Sequence, residues 1–338
     1  MRCTAAGSSP SSSLASASCP RTSIPHGSPD PIRHLRVPRA LTRHYVKLCD
    51  VADFGDPQLC AAVGEIEGRP APRALSERKQ WERGMLALAL AERGCLREDA
   101  TILAIGAGTE PVLFWLANRV GLVTATDIYG EGKFAGLEAS ESMLRNPDAF
   151  SPVDYRKDRL IVRHMDARRL EFPPGSFDAV YSLSSIEHFG SPGDIAGSAA
   201  EMARVLKPGG TAVVVTECLV HLHLLDRAPA EFALRLGTLG RKRAGATLRR
   251  RVALGEAFTP REIGRLIVGP SGMELVQRLD LSLSPQSWDN LTTVHPNGQL
   301  ETATGRLDPH VLLKIHRSVF TSVCLLLHKL PAPGSGPS

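Results

Sequence analysis

The chain has 338 residues, 43% hydrophobic and 22% charged, which is globular material long enough for one large domain or two small ones. No apolar run approaches the roughly 18 to 20 residues of a membrane-spanning helix, so a soluble protein is expected. Its 7 cysteines are odd in number, scattered and without a CxxC pair, which argues against a disulfide scaffold, and no metal-binding pattern is present.

The first segment, 1–47, is rich in Ser, Pro and Arg and has almost no apolar periodicity, so it reads as a disordered leader. It holds Arg2, Arg21, Arg33, Arg36, Arg39, Arg43 and Lys47 against Asp30 alone, leaving 33 of the 40 basic and 34 of the 35 acidic residues for everything that follows. The remainder is therefore close to neutral, and no nucleic-acid partner is expected. An acid-poor, Arg-rich leader is open to two readings: an organellar targeting segment, or a flexible tail on a cytoplasmic protein. The folded domain is expected over 48–330, with its regular alternation starting near residue 70, and 331–338 reads as a disordered tail.

Ser76 is positioned to cap a helix over 76–93, with Trp81, Met85, Leu88 and Leu90 on its apolar side and Gly94 ending it. Strands are expected at 101–105, 123–128, 160–165, 178–182 and 211–217, with helices between them near 111–119, 138–145 and 195–206. Such alternation implies an α/β fold, a doubly wound parallel sheet covered by helices on both faces. The rhythm then breaks for about 40 residues before FTPREIGRLIV, where Thr259 caps and Pro260 begins another helix. Two further strands are expected at 274–281 and 319–328.

Three features carry chemistry. In ILAIGAGTEP a buried strand runs into Gly106, Ala107 and Gly108, where small residues let a ligand approach the backbone closely. In VTATDIYG, Asp127 ends the next strand about 20 residues on, where a carboxylate can accept hydrogen bonds from ribose hydroxyls. A dinucleotide enzyme would suit both features, as would a tight turn and a capping Asp. The run MDARRLEFPPGSFDAVYSLSSIEHF followed by EMARVLKPGGTAVVVTE is different, because it resembles the class I S-adenosylmethionine-dependent methyltransferases.

That resemblance spans about residues 102–217. It implies a seven-stranded, mostly parallel sheet in the order 3-2-1-4-5-7-6 with the last strand antiparallel, and a helical insertion after strand 5. It further implies that Gly106, Ala107 and Gly108 wrap the methionine part of S-adenosyl-L-methionine and that Asp127, with Ile128 beside it, holds the ribose. Asp166 would bond the adenine amino group, with Met165 or Ala167 against the ring, and 182–185, beginning with Ser182, would face the methyl donor. Lys207, Pro208, Gly209 and Gly210 would form a turn into the fifth strand. Two departures stand out: the acid usual two places before the first glycine is Ala104, and Glu110 replaces the third glycine. Glu110 could restore the missing charge or simply suit a helix start.

A hydroxyl acceptor would need a base, and His188 and Glu187 are the candidates after the fourth strand. His221 and His223 form an H-x-H pair that more often marks a surface feature than a metal site. The insertion 219–258 carries eight basic residues (Arg227, Arg235, Arg241, Lys242, Arg243, Arg249, Arg250, Arg251) against three acidic ones. It reads as a solvated helix, or as a lid that draws an anionic acceptor or meets a membrane surface peripherally. The expected activity is methylation of an oxygen on a small molecule, glycan or lipid. A nicotinamide-dependent oxidoreductase and a catalytically silent cofactor-binding protein are the rivals.

Overall fold

A computed structural model describes residues 41–132, 134–136, 138–221, 257–295, 299–302 and 310–331. Most of the leader, nearly all of the basic insertion with His223, and the tail lie outside the described residues. Residues 41–47, counted with the leader by composition, belong to the fold: Tyr45 is 2% exposed, its backbone N–H donates to Gln277 Oε1 at 2.7 Å, and Val46 is fully buried.

Eleven strands among the described residues form one sheet. Its parallel half runs β4 (Leu160–His164), β3 (Leu122–Asp127), β2 (Thr101–Ile105), β5 (Phe177–Leu183) and β6 (Leu206–His221). β2 and β5 are buried along almost their whole length, as strands covered on both faces must be, whereas edge strand β4 is half-exposed. β11 (Ser318–His328) pairs antiparallel with β6 from His221 to Thr211, and β7 (Glu274–Leu275) pairs antiparallel with the end of β11. The expected strand order is thus matched roughly, with β7 off the main path and paired only with the end of β11.

Beyond them the sheet is wider than expected. β1 (Lys47–Leu48) also pairs with β11, which continues through β10 (Leu312–Ile315) to β8 (Leu291–Val294) and β9 (Leu300–Thr302). β10 turns back into β11 at His316, a left-handed residue with φ of 54°. The expected strand 274–281 is cut to two residues because the chain leaves β11 after Val276 and meets the N-terminal segment instead. Asp280 N–H donates to Val46 O, and Leu48 N–H to Asp280 O. The turn expected at Lys207 to Gly210 is a bulge within β6, where Phe177 faces Leu206 but Ala179 already faces Thr211.

The helices are α1 (Pro57–Ile66), α2 (Arg78–Glu92), α3 (Val112–Ala117), α4 (Ser142–Arg145), α5 (Pro192–Val205), α6 (Pro260–Ile263) and α7 (Pro285–Asp289). α2 lays Trp81, Met85, Leu86 and Leu90, all fully buried, into the core. It starts two residues later than expected, with Glu77 at the cap position, because Ser76 turns its own N–H and hydroxyl toward Gln80 Oε1. Gly94 ends it in the left-handed conformation, and Cys95 N–H closes back on Leu90 O. Thr259 caps α6, and Glu262, which the sequence reading did not single out, makes the cap reciprocal. Of the helix expected over 138–145 only α4 is helical. Cys49, Cys60, Cys95, Cys218 and Cys324 are free and buried. No helix among the described residues is long and apolar enough to cross a membrane.

Candidate active site

A cavity of about 720 Å³ opens at the carboxyl ends of β2, β3, β4 and β5. In a doubly wound sheet this rim is where crossover loops diverge and leave room for a ligand. Gly106, Ala107, Gly108, Glu110, Asp127, Ile128, Met165, Asp166, Ala167 and His188 all line it. Residues from four separate segments of the chain are thus brought together around one cavity.

The glycine loop is held open by its own backbone. Gly106 and Gly108 have φ of 62° and 50°, a region that L side chains rarely occupy. A Cβ on Gly106 would stand 2.5 Å from Ser185 Cβ, and one on Gly108 2.9 Å from Glu138 O, so these positions exclude any side chain. Asp127 fastens the loop: Oδ2 accepts from Gly108 N–H and Oδ1 from Ile128 N–H, both at 2.8 Å. Burial raises its pKa, and the two backbone donors offset only part of that rise. Tyr129 O–H donates to Gly108 O at 2.9 Å and completes the brace.

Met165 and Ala167 are nearly buried, 7% and 8% exposed, and present apolar surface to the cavity on either side of Asp166. The Asp166 carboxylate is gripped by Arg168 through Nε, at 2.9 Å and 2.8 Å, and through Nη2; these hydrogen bonds hold it below the ordinary carboxylate range. Ala104 lies fully buried inside β2, where a carboxylate would have been enclosed. Glu110, just past the loop, accepts from Arg83 Nε at 2.7 Å and lies 4.0 Å from Lys79 Nζ.

Two expectations do not reach the cavity. Ser182 is fully buried in the sheet, because β5 continues through Leu183 and the rim begins at Ser184 and Ser185. Glu187 is 3% exposed and turns away from the opening, accepting from Thr216 Oγ1 at 2.7 Å. Burial, with Glu217 nearby, pushes its pKa up to about 7. His188 faces the opening instead, its ring 4.7 Å from that of Phe134. Among the described residues no group of three or more His, Cys, Asp or Glu could hold a metal ion.

The wall contributed by α2 is absent from the sequence reading. Glu77, Lys79 and Arg83 line the cavity, as do Phe134, Glu138 and Phe189. A signal existed: 79 and 83 are an i,i+4 cationic pair, and 78 and 82 an i,i+4 ion pair, on a helix whose Trp81 and Met85 are buried.

Residues 103–214 match the family model described as "Methyltransferase domain". The sterol 24-C-methyltransferase of Aspergillus fumigatus is 26% identical over 203 residues, 58% of this chain and 47% of that protein. A ubiquinone biosynthesis O-methyltransferase of Xanthomonas campestris pv. campestris is 35% identical over 136 residues, 40% of this chain and 47% of that protein. The chain thus spans about half the length of the curated relatives it matches. Among solved structures, a SAM-dependent methyltransferase from Methanosarcina mazei superposes with a TM-score of 0.42 at 20% identity, covering 71% of this chain and 96% of that one. Over residues 103–214, about a third of its length, this chain is thus similar to the methyltransferase domain family.

Proposed function

We propose that the protein methylates an oxygen atom of a small-molecule, glycan or lipid acceptor, using S-adenosylmethionine. The observation that carries this reading is the convergence, on one cavity within the methyltransferase domain, of a glycine loop with no space for side chains, Asp127 and Asp166. The lining suits the donor. Gly106 and Gly108 leave backbone free for the methionine portion, Asp127 accepts from the ribose hydroxyls, and Asp166 accepts from the adenine amino group. Met165 and Ala167 flank the ring, and Glu110, Lys79 and Arg83 supply both signs of charge for the amino-acid end.

Bound there, S-adenosylmethionine supplies an electrophilic methyl group on a sulfonium. The protein's work is to align an acceptor oxygen, exclude water and remove a proton. His188 is the residue that takes the hydroxyl proton at a ring nitrogen, while Glu187 lies behind it and off the cavity. Ile128, Phe134, Leu183 and Phe189 give the lining an apolar share that suits a hydrophobic acceptor body. The names of the relatives, a sterol and a ubiquinone biosynthesis methyltransferase, support the same class. The lining holds six carboxylates against Lys79, Arg83 and Arg168, which favours a neutral acceptor over an anionic one. Work in the cytoplasm is the simpler proposal; a fluorescent fusion with and without residues 1–47 separates it from organellar targeting.

The test is transfer of labelled methyl groups from S-adenosylmethionine into a lipid and metabolite extract. Wild-type protein yields a labelled product that His188→Ala reduces at least about 100-fold, within the usual range for a general base. No labelled product with any extract contradicts the proposal.

A further inference from the structure

Glu82, on α2, is completely buried and does not touch the cavity, yet its carboxylate joins three parts of the molecule. Ser184 Oγ, at the end of β5, donates to Oε2 at 2.8 Å, and Ser322 Oγ of β11 donates to Oε1. Lys79 Nζ stands 3.3 Å from Oε2, and Arg78 Nε 3.8 Å from Oε1. Two hydroxyls and two cations around one buried carboxylate are what keeping it ionised requires. Burial works against the charge, but Lys79 and Arg78 outweigh it, and the pKa lies below the ordinary value.

Two of these partners line the cavity. Ser184 has φ of 45°, one of two left-handed residues other than glycine among the described residues. That conformation is strained and persists only where the surroundings impose it. Its N–H donates to Val215 O at 2.8 Å, and the next residue, Ser185, donates its hydroxyl to Gly106 O at 2.7 Å. The strained turn is therefore linked directly to the glycine loop. The second partner, Lys79, extends past Glu82 toward Glu110.

We infer that Glu82 is a positioning residue: by holding the Ser184 hydroxyl and the Lys79 ammonium it imposes the left-handed turn that sets the β5 rim against the glycine loop. This rests on the cavity being a donor site, but the device belongs to the free protein and is measurable there. Glycine takes up a left-handed φ without strain, and alanine does not. Ser184→Gly and Ser184→Ala both lose the hydroxyl and leave Glu82 its two cations and Ser322, so they differ in the cost of the turn.

The experiment measures two quantities on Ser184→Ala, Ser184→Gly, Glu82→Gln and the double variant Glu82→Gln with Ser184→Gly. One is the exchange rate of the amide of residue 184 in ligand-free protein, and the other is the Kd for S-adenosylhomocysteine. The alanine variant should exchange at least about tenfold faster and bind about tenfold more weakly than the glycine variant. Glu82→Gln should cost about tenfold in affinity when Ser184 is present and less than about threefold in the Ser184→Gly background, with the β5 amides of Ala179 to Ser182 unchanged. Equal behaviour of the alanine and glycine variants overturns the inference, even if Glu82→Gln fails to fold. So does a Glu82→Gln protein that melts at lower temperature but keeps its affinity and its exchange rate at 184. If wild-type protein binds no S-adenosylhomocysteine, the donor-site reading falls, and the exchange rates still decide the role of Glu82.

Discussion

The two halves of the sheet follow different rules. From β4 to β5 all strands are parallel, and the cavity opens at their carboxyl ends. From β6 outward through β11 to β9 the pairing is mostly antiparallel and joins distant segments, with β1 from the N-terminal side and β7 both added to β11. A small second core, Leu219, Ala257, Leu313 and Phe320, belongs to this side alone. One half presents the loops that line the cavity, and the other widens the sheet and carries the small second core.

The sharpest way to break this division is a pair of substitutions, one from each half. Asp127→Ala removes a half-buried carboxylate that two backbone donors and, by the proposal, the ribose all use. The expected loss in S-adenosylhomocysteine affinity is about 100-fold or more, at roughly 1.5–3 kcal/mol for each hydrogen bond to a charged group. Leu313→Ala, in the small second core, should cost about 2–4 kcal/mol in urea unfolding and leave that affinity within about threefold. Loss of affinity in the second variant would mean that the extension shapes the site as well.

Gly108→Ala acts within the parallel half. Its Cβ would meet Glu138 O at 2.9 Å in a backbone conformation with φ of 50°. A strain of about 1–3 kcal/mol should weaken binding by about 10- to 100-fold, as calorimetry would detect.

Glu187 sits at the junction of the halves, between the β5 rim and Thr216 of β6. In the native state it keeps its proton up to about pH 7, whereas the unfolded chain releases it near 4.5. Between those values the native state binds more protons, so this group's contribution to stability is full below 4.5 and is lost as pH rises through 7. In urea unfolding at pH 5 and pH 8, wild-type protein should lose about 2 kcal/mol relative to Glu187→Gln. An unchanged difference between the two proteins would show that the carboxyl titrates normally.

The smallest expected effect is that of Asp166→Asn. This carboxylate is 37% exposed on its side chain and already paired with Arg168, so about a five- to tenfold loss in S-adenosylhomocysteine affinity is expected by calorimetry.

The same division governs what the sequence makes legible. Gly106, Asp127 and Asp166 announce themselves because each lies at or just past the end of its own strand, so the motif and the structure it serves are neighbours in the chain. Glu82 and Lys79 do not, because Ser184 lies 102 positions beyond Glu82 and nothing local in the helix points to it. Ser182 falls short of the rim that its motif suggests, since the strand runs on through Leu183 before the rim begins. β8, β9 and β10 are only three or four residues long and are stabilised by partners far along the chain, so their local pattern reads as loop. His188 and Glu187 are adjacent in sequence yet diverge in space, a separation that a short 3-10 turn creates and that periodicity does not predict.

Titration calorimetry of the wild-type chain with S-adenosylhomocysteine and, separately, with NADH tests the central claim most directly. The account predicts saturable one-to-one binding of S-adenosylhomocysteine and no measurable heat with NADH. Tight binding of NADH, with S-adenosylhomocysteine ignored, would contradict it.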